Sequence, residues 1–193
     1  MVPERILVRR KWGLTPFFAL FIAGALHAQT DETRTLEVEG GGQVTYTLRR
    51  HPPDAHVLSP AAVLGPTSAL DAAKLVNLHL STGDIEEAAL LSNSPRRRFE
   101  VLMDYRQWVG EDEFKRVFTQ YFFPENRVLA EIGIGSHRLL IWELKDGTAQ
   151  SSHLAGQYFV EVEGRYLMDD VPNQTRANLR RVLEAYRAGR FAR

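Results

Sequence analysis

NRVLAEIGIGSHRLLIWELKDGTAQSSHLAGQYFVEVEGRYLMDDV, residues 126–171, is the stretch whose punctuation decides the fold. Three short breaks, Gly135-Ser136, Lys145-Asp146-Gly147-Thr148 and Glu163-Gly164, separate four runs rich in apolar and β-favouring residues. Gly at the first central position of a two-residue turn supplies the positive φ that a tight hairpin needs, and Asp-Gly suits the mirror-image turn that matches strand twist. The spacing therefore predicts an antiparallel meander with strands at 128–134, 137–144, 150–162 and 165–171. In the first run Val128, Ala130, Ile132 and Ile134 share one face and Leu129 and Glu131 the other. The third run is long for one regular strand, and Gly156 in its middle predicts a bulge or bend that would curl the sheet.

Upstream, Leu36, Val38, Val44, Tyr46 and Leu48 alternate on either side of Gly40-Gly41-Gly42, which reads as a hairpin over 33–50. Residues 51–66 carry Pro52, Pro53, Pro60 and Pro66 and read as an extended strap. Ser68, with Asp71 three residues on, opens an apolar helix that Gly83 stops, and Asp84 with Glu87 starts a short second one. A third helix follows Pro95 and runs to Gly110. The fourth carries Phe114, Val117, Phe118 and Tyr121 at i, i+3, i+4 and i+7, the stripe that should pack on the Val128–Ile134 face. After Pro172 a last amphipathic helix repeats that spacing with Leu179, Val182, Leu183 and Tyr186, and sets Arg176, Arg180, Arg181 and Arg187 on its other faces. Helices gathered on an antiparallel meander make an α+β fold.

Composition is that of an ordinary globular chain, 44% hydrophobic and 25% charged. Arg5, Arg9, Arg10 and Lys11 precede an apolar run, Gly13 to Leu26, which ends in Ala25-Leu26-His27-Ala28, the order of a secretory signal peptide over residues 1–28. The run is shorter than the roughly 20 residues a membrane span needs, so no transmembrane span is expected after cleavage, with an uncleaved anchor as the alternative. Setting residues 1–28 aside removes four basic residues and Glu4 from a chain with 24 of each sign. The mild acidic excess that remains gives no footprint for nucleic acid. With no cysteine the exported chain has neither disulfide nor lipid attachment site, and a periplasmic or secreted location follows.

The organisation is then residues 1–28 as leader, 29–66 as hairpin and strap, and 67–193 as the α+β domain. The long apolar helix, the Gly83-Asp84 junction, the following helices and the curled meander with its Asp-Gly and Glu-Gly turns resemble the nuclear transport factor 2-like, cystatin-related superfamily in its small exported bacterial form. The likeness spans Ser68 to Val171, with the hairpin in front and the Arg-rich helix behind as departures. It implies a cone with a pocket between sheet and helices, in a superfamily that holds isomerases, dehydratases and non-catalytic binding proteins.

No nucleophile elbow, phosphate-cradling Gly loop or zinc-protease motif is present, so any chemistry would come from pocket residues. Glu131 is the leading candidate base, with His137 and His153 behind it, because a carboxyl buried among apolar neighbours has its pKa raised toward working pH. The competing reading sets Glu131 on the solvated side of a half-buried strand. Trp142, Tyr158 and Tyr166 are candidate ligand-lining residues, with core packing as the alternative. His51, Asp54 and His56 lie close together but form no defined coordination set, and Asp169-Asp170 reads as a solvated strand end, so no metal or cofactor is expected. The readings that remain are an exported, non-catalytic envelope protein binding a small apolar ligand or a protein partner; a small proton-transfer enzyme; and an oligomerisation or immunity-type module, a homodimer included.

Overall fold

The computed structural model describes residues 31–38, 42–52, 65–145 and 152–190. The expected leader, the Gly40-Gly41 turn, Asp54 and His56 of the strap and the Asp146-Gly147 turn lie outside the described residues. Six strands form one antiparallel sheet in chain order: β1 (Glu32–Val38), β2 (Gly42–Arg50), β3 (Arg127–Ile134), β4 (His137–Lys145), β5 (Ser152–Val162) and β6 (Arg165–Met168). The helices are α1 (Ala69–Thr82), α2 (Ile85–Leu90), α3 (Pro95–Val109), α4 (Glu111–Thr119) and α5 (Gln174–Arg187). The fold is α+β with an open, curled sheet. The leading hairpin is continuous with the meander, because Thr47–Arg50 pair with Gly133–Ala130.

Local chemistry places the elements. Ser68 accepts a hydrogen bond from the Asp71 amide at 3.1 Å, and Gly83 closes α1 at φ 86°, a conformation that favours glycine. Asp84 caps α2 by accepting from the Glu87 amide. Gly135 turns β3 into β4 at φ 57°.

Both faces of the sheet are covered at β4, whereas β2 keeps one face exposed. On one side of the sheet, α1–α4 pack on Val128, Leu140, Trp142, Leu144, Phe159 and Met168. Ala72, Ala73 and Val76 in α1 are fully buried, their small side chains allowing a close approach to the sheet. On the other, Leu179, Val182 and Leu183 of α5 pack on Tyr46, Leu48, Ala130, Ile132, Leu139 and Ile141.

The expectation that α4 covers the whole Val128–Ile134 stripe is corrected here. The register of β3 against β4 shifts between Val128 and Ala130, so Leu129 is the extra residue of a bulge. Val128 keeps to the α4 side, and Ala130 and Ile132 turn to α5. The bulge expected at Gly156 is absent: β5 pairs with β4 in unbroken register from Ser152 to Val160. Gly156 serves a close approach instead, since a Cβ there would meet Leu183 Cδ2 at 2.6 Å and Leu139 Cδ1 at 3.0 Å. Between the two layers Gln157 Nε2 donates to Asn77 Oδ1 at 2.9 Å, a buried amide pair tying α1 to β5.

Candidate functional site

Beyond β6 the chain turns around the edge of the sheet, and two adjacent carboxylates anchor that turn. Asp169 is 1% exposed. Its Oδ1 accepts from Asn93 Nδ2 at 3.0 Å, and its Oδ2 meets His137 Nδ1 at 2.9 Å and Asn173 Nδ2 at 3.5 Å. Asp170 accepts from Ser92 Oγ at 2.8 Å and Arg98 Nη1 at 3.3 Å. The sequence expectation of a solvated strand end is overturned: a carboxylate can be buried only when donors replace its water, and here the α2–α3 loop, β4 and the α5 cap supply them. The His137 ring is held in place by Asp169.

Asn173 then opens α5, its side-chain oxygen accepting from the Arg176 amide at 2.8 Å. Beside this cap lies a cleft of about 490 Å³, lined by Arg97 from the first turn of α3, Tyr158 from β5, and Pro172, Asn173, Arg176 and Arg180. Arg176 and Arg180, four residues apart, share one face of α5. The Arg176 guanidinium stands 5.4 Å from the centre of the Tyr158 ring, a cation–π contact that orients it. Arg180 Nε approaches Glu184 at 3.3 Å. Burial raises the Tyr158 hydroxyl above its usual range, with Arg176 pulling the other way, so the group remains an O–H donor at neutral pH.

Charge placement around the cleft runs against helix electrostatics. Helix N-termini favour acids, and α1, α2 and α4 carry them in their first turns. The first turns of α3 and α5 carry none, and hold Arg97 and Arg176 instead. Each cation so placed costs about 0.3–1 kcal/mol where it is not offset by an anion.

The other sequence candidates lie elsewhere. Glu131 opposite Arg49 and Leu140 belongs to the sheet face that α1–α4 pack against, with a side chain 15% exposed, so it is on neither a solvated face nor a dry pocket wall. Burial raises its carboxyl above the ordinary range against the lowering influence of Arg49 and Arg138, whose Nε is 3.5 Å away. His137 is engaged by Asp169, and Tyr166 donates to Glu161 at 3.2 Å, so neither completes a proton relay with Glu131. His153 is exposed on β5. Trp142 is fully buried, with Tyr121 edge-on at 5.2 Å, and is a core residue. Of the three aromatic candidates Tyr158 alone lines the cleft.

Sequence reading missed Arg97, Asn173, Arg176 and Arg180 as one group, because residues 97 and 176 meet only through tertiary structure. The signal that could have found them is two helix starts, after Ser94 and after Asn173, with arginine where acids are usual. Comparison of the chain with protein-family models, curated proteins and solved structures gives no match.

Proposed function

We propose that the protein is an exported, non-catalytic binding protein of the cell envelope whose ligand site is the cleft at the start of α5. The observation that carries this reading is the convergence of Arg97, Arg176, Arg180 and Tyr158 on one concavity of about 490 Å³, within the size range of small-molecule sites. Among the described residues α1–α4 occupy one side of the sheet and α5 the other, each packed on it through apolar core. The apolar ligand expected from sequence gives way to a polar one, since the cleft wall is rich in guanidinium groups. Export rests on the order of residues 1–28; N-terminal sequencing of exported material should begin near Gln29, and recovery of residues 1–20 intact would refute it.

The test of the site is an NMR screen of the full chain with small fragments of mixed charge. Hits should shift the amide signals of Tyr158 and 173–177. Hits clustering around Glu131 and Arg138 would instead favour the second reading, a small proton-transfer enzyme, which rests on the half-buried carboxyl of Glu131 with its raised pKa.

A further inference from the structure

We propose that the ligand of this cleft is a small polyanion, a molecule carrying at least two phosphate or carboxylate groups on a body that fits about 490 Å³. The inference rests on the reading of the cleft as the binding site and adds the chemical class of its occupant. Three guanidinium groups from two helices face one concavity, and among the described residues no carboxylate lines it. Guanidinium forks match phosphate and carboxylate oxygens two at a time, and three of them exceed what one singly charged group can satisfy.

The donors are already positioned. Arg176 is fixed over Tyr158, and the Asn173 amide is held by the Val171 carbonyl at 3.0 Å as well as by Asp169. Arg180 uses Nε on Glu184, which leaves its terminal nitrogens for a ligand. Arg97 enters no ion pair among the described residues and is exposed. An anion bridging Arg97 and Arg176 would also complement the N-terminal dipoles of α3 and α5, which these arginines oppose. The body of the ligand would rest on Pro172 and Ala177, the apolar part of the lining. Free metabolite-sized polyanions and lipid headgroups share this chemistry, so the experiment separates them.

Inorganic pyrophosphate, citrate and phosphatidylglycerol vesicles are titrated separately into the full chain, followed by amide NMR for the free anions and co-sedimentation for the vesicles. Saturable binding of pyrophosphate or citrate that shifts residues 173–177 is expected, weakened about tenfold in Arg97→Gln and further in Arg97→Gln/Arg176→Gln, as loss of charged hydrogen bonds predicts. Arg97→Gln, at an exposed position, also controls for folding. Vesicle binding without free-anion binding, lost in the double variant, assigns the polyanion to lipid headgroups and upholds the proposal. Equal affinity in wild type and double variant, or no response to any of the three probes, overturns it. Neutral fragments shifting the same amides would then leave the cleft standing as a site for another class of ligand, whereas fragments of every charge leaving those amides unmoved would remove the site itself.

Discussion

Glu131 and Asp169 are carboxylates within one sheet system, and their surroundings treat them differently. Asp169 is enclosed by hydrogen-bond donors from three elements. Glu131 has a half-buried position with Arg138 at 3.5 Å and Arg49 on the neighbouring strand, and burial outweighs both in raising its carboxyl. For a carboxyl raised in the folded state, its contribution to stability is complete below the unfolded value of about 4.3 and is lost as pH rises through the folded one. The ionised side chain therefore opposes folding at neutral pH. Glu131→Gln should match wild type in denaturant unfolding near pH 3.5 and become the more stable of the two at pH 7. A variant less stable than wild type at pH 7 would mean that the two arginines dominate, and that Glu131 is an ion-pair anchor.

At the level of elements, the approach of α5 to β5 depends on an absent side chain. Leu183 Cδ2 lies where a Cβ of residue 156 would be, 2.6 Å away, with Leu139 behind it at 3.0 Å. Gly156→Ala should cost about 1–3 kcal/mol by overpacking, measured by urea unfolding. A neutral or stabilising substitution would show that α5 can slide along the sheet. The β3 bulge at Leu129, two strands away, sends Val128 to the helical layer and Ala130 to α5, so a single strand feeds two cores.

For the whole molecule, stability should depend on two apolar layers with one sheet between them. Phe114 anchors the first and Leu179 the second, and each is fully buried. Phe118, which the sequence stripe marks as equally central, is half-buried, so the largest loss in α4 belongs to Phe114. Phe114→Ala should cost about 3–5 kcal/mol and Leu179→Ala about 2–5 kcal/mol. If the shared sheet couples the layers, both variants unfold in a single transition seen alike by far-UV and near-UV circular dichroism. An early separate transition in Leu179→Ala would show that α5 is an independently melting cover.

Much of this architecture was legible in one dimension, because caps, turns and periodicity are properties of neighbouring residues. Ser68, Gly83, Asp84, Gly135 and the stripe of α5 announce the elements through short-range chemistry, and the order of elements then implies α+β. What needed the tertiary structure were relations between distant residues. A one-residue bulge is silent in a hydrophobic pattern yet exchanges faces, so the partner of Ala130 and Ile132 could not be read from alternation alone. Gly156 looks alike in sequence whether it bends a strand or admits a leucine from residue 183. The cleft is the clearest case: Arg97 and Arg176 are separated by most of the meander, and only the return of the chain around β6, pinned by Asp169 and Asp170, brings their charges together.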